Sequence, residues 1–213
     1  MGQVVAKQVS KNLARPDSGP FGWLVARKFL QLNKVLEVNA VKVCDIQPDD
    51  KVLEVGFGPG LGLQAAYKRV KDGKGEVHGI EISERMLKMA EGSLSQEILA
   101  KKVQLKFCSV KKLPYDPNYF DKIFHVNCYY FWPDLDMAMQ ELQRVIKPQG
   151  KLVTTLNLER LKEVKSKNMM QCGNFDPDRY MKALERNGFT NIKMADIKDK
   201  IAFQSITATA NKN

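Results

Sequence analysis

The segment from Val52 to Gly62, VLEVGFGPGLG, constrains the fold of this 213-residue chain more than any other. A short apolar run leads into glycines at three alternate positions, Gly56, Gly58 and Gly60. This pattern predicts a buried strand that breaks into a turn, where a Cβ would either clash with a ligand or forbid the required φ angles. A helix is predicted next, from about Leu61 to Lys71, with its N-terminus at the same place. We therefore expect a nucleotide-like ligand there.

A dinucleotide is disfavoured as that ligand. The dinucleotide fingerprint G-x-G-x-x-G needs a third glycine that packs the helix against the strand. When the motif is started at Gly56 its sixth position is Leu61, and when it is started at Gly58 the sixth position is Leu63. The glycine spacing therefore argues against a nicotinamide oxidoreductase.

The rest of the chain alternates predicted strands and helices, which is typical of a doubly wound α/β sheet. A second strand ends at Glu81, where the carboxylate is placed to accept hydrogen bonds from both hydroxyls of a ribose. Ile82 would lie against an adenine face, and Ser83 is a candidate N-cap. The further predicted elements are strands 103–110 and 120–127, helix 134–147, a turn at 147–150 into a fifth strand, a helix from Asp176-Pro177 to Gly188, and antiparallel strands 191–197 and 201–209.

Four ordered motifs carry a family resemblance: Glu54–Gly60, Glu81, the F-D-x-I-x-x-V-N segment from Phe120, and the R-V-I-K-P-x-G-K-L turn from Arg144. Together they resemble the class I S-adenosylmethionine (SAM) methyltransferases, in particular the small ubiquinone/menaquinone-biosynthesis (methyltransferase type 11) family. The resemblance implies a Rossmann-like seven-stranded sheet, mostly parallel with an antiparallel terminal hairpin and helices on both faces. It also implies SAM as cofactor, S-adenosylhomocysteine as product, and no metal.

The resemblance also implies a set of cofactor-binding residues. They are Glu54, Gly56, Phe57, Gly58, Gly60, Glu81, Ile82, Ser109, Val110, His125 and Asn127.

Two residues depart from the family pattern. Ser109 stands where an aspartate usually accepts a hydrogen bond from the adenine amino group, and a neutral acceptor is the weaker one. Gln149 replaces a glycine in the usual Pro-Gly-Gly turn, so we expect a turn without positive φ at that position.

The exit of the fourth strand, from His125 to Trp132, is the most aromatic stretch of the chain. His125 is the candidate general base, because its side-chain pKa is naturally near neutrality. Tyr129 and Tyr130 are candidate catalytic residues that position the acceptor by hydrogen bonds. The candidate substrate contacts are Trp23, Phe29, Tyr129, Tyr130 and Trp132, and plain packing is the alternative for the aromatic rings.

We expect residues 1–47 to form an N-terminal helical lid and residues 48–213 to form the SAM-binding core of a single domain. Residues 1–16 carry basic side chains, no acidic one, and apolar residues at helical spacing. They are read either as a surface helix of the lid or as a mitochondrial transit peptide, and we favour the lid in a cytoplasmic protein. The four cysteines form no C-x-x-C pair, which favours reduced thiols over a zinc site.

The net charge of +10 raises the question of whether the protein binds nucleic acid or another acidic partner. The strongest local excess of basic side chains, from Lys147 to Lys167, indicates either a solvated helix face or attraction to an acidic substrate. Nucleic acid is disfavoured, because the Asn/Asp-Pro-Pro-Tyr motif and an appended binding domain are both absent from the sequence. No apolar run approaches the ~18 residues of a membrane span.

The sequence thus predicts methyl transfer from SAM to a small molecule by in-line displacement, in a monomer or homodimer. The alternatives are a protein or RNA methyltransferase and a catalytically silent subunit.

Overall fold

The computed structural model describes residues 33–167 and 174–212. Its strands are β1 (Lys51–Val55), β2 (Glu76–Glu81), β3 (Val103–Phe107), β4 (Phe120–Val126), β5 (Ile146–Leu156), β6 (Phe189–Lys198) and β7 (Ala202–Ala210). They form one sheet in the order β3-β2-β1-β4-β5-β7-β6. Strands β1 to β5 are parallel, whereas β7 runs antiparallel to both β5 and β6. The predicted fold class, a seven-stranded and mostly parallel sheet with an antiparallel terminal hairpin, is confirmed.

Helices cover both faces of this sheet. Helix α1 is described from residue 33 to 44. The others are α2 (Leu61–Val70), α3 (Glu84–Ser93), α4 (Ser95–Leu99), α5 (Leu135–Val145), α6 (Leu158–Ser166) and α7 (Pro177–Arg186), together with a 3-10 turn, Tyr129–Phe131.

The alternation of side chains along β1 explains why both faces are covered. Val52 belongs to a buried cluster with residues of α1, α2 and α3, whereas Leu53 and Val55 belong to a cluster with residues of α5, α6 and α7. Successive strand side chains point to opposite faces, so each face needs its own helices to exclude water. Leu36 and Ala40 on α1 are fully buried in the first cluster. The last part of the segment expected to act as a lid is thus part of the core.

Local signals place the starts of α3, α5 and α7 where the sequence predicts them. Ser83 accepts a hydrogen bond from a backbone N–H in the first turn of α3, and Asp176 does the same for α7, whose first residue is Pro177. Asp134 and Asn157 cap α5 and α6 in the same way. Each cap satisfies a backbone donor that the helix itself leaves without a partner.

Two local expectations are wrong. Gln149 has a φ of 61°, so the turn at 147–150 does adopt a left-handed residue without the second glycine. The turn is an irregularity within β5, because Ile146 pairs with Phe120 while Lys151 already pairs with Lys122. In addition, β3 ends at Phe107 rather than at residue 110, so the residues that follow belong to the loop.

The strand order places the candidate site. Chain connections run outward on either side of β1, with β2 and β3 on one side and β4 and β5 on the other. The carboxyl ends of these parallel strands share one edge of the sheet. The loops after β1, β2, β3 and β4 therefore meet at the switch point, where open α/β sheets bind their ligands.

Candidate functional site

A cavity of about 190 Å³ opens at this edge of the sheet. Its walls come from the loops after β1 to β4 and from helices α1 and α6. The sequence-predicted site residues that line it are Gly56, Gly58, Glu81, Ile82, Ser109, Val110, Asn127, Tyr130 and Trp132. Residues that are distant in sequence are thus brought together around one space.

The turn after β1 has the geometry that its glycines indicate. The φ angles of Gly56, Gly58 and Gly60 are 69°, 52° and 91°, all in the left-handed region. A Cβ on Gly56 would lie 2.6 Å from the Cys128 Sγ, whereas a Cβ on Gly58 would meet no atom within 4 Å. Gly56 is therefore required by its neighbour, while Gly58 faces the open space of the cavity.

The Glu81 carboxylate joins the end of β2 to this turn. Its Oε2 accepts a hydrogen bond from the Gly58 N–H at 3.0 Å. Its Oε1 accepts from the N–H groups of Ile82 and Ser83 at 2.7 and 2.9 Å. The side chain is 7% exposed and borders the cavity. Glu81 thus fixes the shape of the site through the backbone.

The loops after β2 and β3 supply one wall. Ile82 is 42% exposed, unusual for an apolar residue, and it lines the cavity beside Val110. Ser109 is exposed, and its Oγ accepts a hydrogen bond from the Lys111 N–H at 3.3 Å.

The end of β4 supplies the opposite wall. Asn127 has a φ of 49°, and its Nδ2 donates to the Oδ1 of Asn33 at 3.2 Å. The Oδ1 of Asn127 is buried and has no hydrogen-bond partner among the described residues. Trp132 donates from Nε1 to the Cys128 Sγ at 3.2 Å, while Tyr130 lies at the cavity surface, 5% exposed.

The structure corrects the expectation for His125. The residue is fully buried and lies outside the cavity lining. Its Nε2 lies 2.8 Å from the Tyr180 hydroxyl and 2.9 Å from the Thr154 Oγ1. Burial lowers the pKa of His125 to about 3. This burial and the low pKa argue against His125 as the general base.

Tyr129 is corrected in the same way. It is fully buried, its hydroxyl donates to the Phe175 carbonyl at 2.6 Å, and its ring stacks on Tyr180 with centroids 4.3 Å apart. Tyr129 therefore packs α7 onto the sheet, and only Tyr130 of the pair reaches the cavity.

Glu54 and Phe57 are two further corrections among the cofactor contacts. Phe57 is fully buried beneath β2, where a Cβ on Gly79 would come within 2.5 Å of its ring. Glu54 is 1% exposed and lies behind α2 next to Glu37. Burial raises the pKa of both carboxyl groups, so the pair retains a proton well above the range of a free carboxylic acid. Gly60, which packs against α3, lines no part of the cavity either.

The lining residues that were not predicted include Asn33, Glu37 and Arg160. The sequence does contain a signal for the first two, because residues four apart lie on the same face of a helix, here beside the apolar positions of α1. Arg160 gives no such signal, since one basic residue in a basic stretch resembles its neighbours. The remaining candidates, Trp23 and Phe29, lie outside the described residues.

Among residues 33–167 and 174–212, no group of three or more His, Cys, Asp and Glu side chains is arranged to hold a metal ion. In the same part of the chain, no helix is both long and apolar enough to cross a membrane.

The sequence profile of a methyltransferase domain matches residues 53–154. The chain is 36% identical over 124 residues to the uncharacterized methyltransferase YdaC of Bacillus subtilis strain 168, an alignment that covers 58% of this chain and 65% of that protein. It is 29% identical over 122 residues to the ubiquinone/menaquinone biosynthesis C-methyltransferase UbiE of Cupriavidus metallidurans strain CH34, covering 57% and 49%. The chain thus spans less than two thirds of either relative.

Among solved structures, a putative SAM-dependent methyltransferase of Methanococcus maripaludis superposes with a TM-score of 0.66. The two chains are 20% identical, and the match covers 87% of this chain and 88% of the other, which shows the shared fold. Residues 53–154 thus match a methyltransferase domain, and the described sheet has the fold of the SAM-dependent methyltransferase to which it is compared.

Proposed function

We propose that this protein transfers a methyl group from SAM to a small-molecule acceptor bound in the same cavity. The observation that carries the proposal is the glycine turn, held by Glu81 at the mouth of a cavity in a methyltransferase domain. The resemblance to UbiE favours a small acceptor over a macromolecule, at low identity.

The residues around the cavity fit this cofactor on two observations. The space over Gly58 is open, so a ligand can lie against the backbone where a Cβ would stand. The buried Oδ1 of Asn127 has no partner among the described residues, and a donor on the ligand would satisfy it. Gly56, Gly58, Glu81, Ile82, Ser109, Val110 and Asn127 remain our candidates for holding SAM.

When bound, SAM supplies an activated methyl group on a sulfonium, so the chain needs to provide placement more than activation. The rings of Tyr130 and Trp132 at the cavity exclude water and offer no strong nucleophile. Neither of the two histidines in the chain lines the cavity. We therefore propose an acceptor that loses its proton to solvent or reacts without losing one first.

The experiment is a calorimetric titration of the purified protein with SAM, S-adenosylhomocysteine and NAD. We expect micromolar binding of the first two and no binding of NAD. Methyl transfer would then be followed as S-adenosylhomocysteine release with amine, thiol and phenol acceptors. Absence of SAM binding would contradict the proposal and favour a silent subunit, and binding of NAD would reopen the oxidoreductase reading.

A cytoplasmic location stays a prediction. The described cysteines, Cys44, Cys108 and Cys128, are free thiols, which supports a reducing environment.

A further inference from the structure

Arg160 lies in the cavity wall. It stands in the first turn of α6, where Leu161 and Val164 also line the cavity. No carboxylate of residues 33–167 or 174–212 pairs with its guanidinium, whereas Arg144 and Arg186 pair with Glu141 and Asp136. The arginine at the cavity is thus left without the partner that these two surface arginines have.

The surroundings of Arg160 make this lack of a partner costly. The side chain is half-buried, and loss of water around it lowers the pKa of the guanidinium. Glu163, one turn further along α6, forms a salt bridge with Lys167, and its negative charge acts on Arg160 without forming a salt bridge to it. A partly desolvated cation is stabilised by an anion that fits it, and a guanidinium fits carboxylate and phosphate oxygens with two parallel hydrogen bonds.

The sheet order separates Arg160 from most of the candidate cofactor residues, and Asn127 after β4 is the exception. The glycine turn, Glu81 and Ser109 lie at or after the ends of β1, β2 and β3, on one side of the switch point. Arg160 follows β5, and Tyr130 follows β4, on the other side. The part of the cavity next to Arg160 is therefore the part left for the acceptor once a cofactor lies over the turn.

We propose that the methyl acceptor carries an anionic oxygen group, a carboxylate or a phosphate, that binds to Arg160. The inference rests on the proposed function, because it identifies the acceptor by its position relative to the cofactor. The cavity-facing Leu161, Val164 and Trp132 contact the apolar remainder of the acceptor. Arg160 is thus a specificity-determining residue rather than a catalytic one.

The test uses three small probes of similar shape: benzoate, phenyl phosphate and the neutral benzamide. Each is titrated calorimetrically into the full chain at low salt, with and without saturating S-adenosylhomocysteine. The variants are Arg160→Gln, Arg160→Lys and the control Lys162→Gln, which removes the same charge from an exposed position of the same helix.

We expect at least one anion to bind the wild type about 10-fold or more tightly than benzamide, the range of a charged hydrogen bond. Arg160→Gln should lose this preference, Arg160→Lys should keep part of it, and Lys162→Gln should keep all of it. The tighter of the two anions identifies the acceptor group as a carboxylate or a phosphate.

Equal binding of benzamide and both anions, or full retention of anion binding in Arg160→Gln, would overturn the inference. So would a loss of S-adenosylhomocysteine affinity in Arg160→Gln with no change for the anions, since Arg160 would then bind the cofactor's own carboxylate. If no variant binds S-adenosylhomocysteine, the proposed function fails, while the titrations without it still decide the anion preference.

Discussion

Alanine at Gly58 and at Gly56 should separate the two reasons for glycine in the turn after β1. The φ of Gly58 is 52°, and a Cβ there meets no atom within 4 Å. Gly58→Ala therefore adds only backbone strain, about 1–2 kcal/mol, partly offset by the lower entropy of the unfolded chain. We expect a net loss of about 1 kcal/mol in the free energy of unfolding.

Gly56→Ala should cost more, because strain at a φ of 69° is joined by a steric clash. The new Cβ would lie 2.6 Å from the Cys128 Sγ, and overpacking of this kind costs about 1–3 kcal/mol. We expect a total loss of about 2–4 kcal/mol. Cys128→Ala removes the clashing sulfur, so the double variant Gly56→Ala/Cys128→Ala should be more stable than the sum of the single effects predicts.

The assay is urea denaturation of the wild type and the four variants, with S-adenosylhomocysteine affinity measured on each sample. Gly58→Ala should retain most of its stability and lose affinity at least about tenfold, as its methyl group enters the cofactor space. The reasoning would be refuted if Gly56→Ala were as stable as Gly58→Ala, or if Cys128→Ala gave no rescue. Unchanged affinity in Gly58→Ala would show that the cofactor does not pass over the turn.

Three further predictions concern buried polar groups. In Glu81→Gln an amide NH₂ group must face a backbone N–H, so the free energy of unfolding should fall by about 1.5–3 kcal/mol, and S-adenosylhomocysteine affinity should fall as well. Unchanged stability in urea denaturation and unchanged affinity in calorimetry would contradict the contacts described. Burial raises the pKa of Glu37 and Glu54 above the ordinary 4.5, so the folded state keeps a proton that the unfolded state has released, and stability should fall as pH rises above that value. Glu37→Gln should flatten this decline, by up to about 1.4 kcal/mol per pH unit, and parallel profiles above about pH 7 would argue against a shared proton. Burial lowers the pKa of His78 to about 4 and that of His125 to about 3. Their contribution to stability is therefore complete above the ordinary pKa of 6.5 and is lost as the pH falls toward the lowered values. Imidazole ¹⁵N spectra should show both rings neutral at about pH 5.5, and a charged His125 at that pH would contradict its burial.

Much of the fold could be predicted because its signals are local. The glycines after Val55 adopt positive φ, which glycine favours regardless of the surrounding fold. Ser83 caps α3 by accepting a hydrogen bond from the backbone N–H three residues further along. The approach of Glu81 to Gly58 is long-range, yet it follows from parallel strands sharing one edge. These features depend on backbone geometry alone, which the order of elements largely determines.

The errors arise where partners come from distant parts of the chain. His125 lies at the end of β4 as expected, but Thr154 on β5 and Tyr180 on α7 bind its ring, and it does not line the cavity. The sequence gives the strand and not the identity of these partners. From the sequence alone, a single polar residue on a strand could point to either face of the sheet, because the helix that packs against it is not yet known. Gln149 is a different case. A non-glycine residue at positive φ is uncommon, but it can adopt this conformation when the surrounding strand pairing requires it.

Asn127 and His125 stand two positions apart at the end of β4, and their hydrogen bonding differs in a way that bears on function. The Nε2 of His125 has two hydroxyl partners, and the residue does not line the cavity, so a ligand bound there does not reach its buried Nδ1. Asn127 lines the cavity, has a φ of 49° and keeps a buried oxygen without a partner among the described residues. Arg160 lines the same cavity, and no carboxylate of those residues forms a salt bridge with it. Unsatisfied groups lower the stability of the free protein, and a ligand that satisfies them recovers the difference as binding free energy. Two ligands with complementary groups, one meeting Asn127 and one meeting Arg160, would therefore each stabilise the fold.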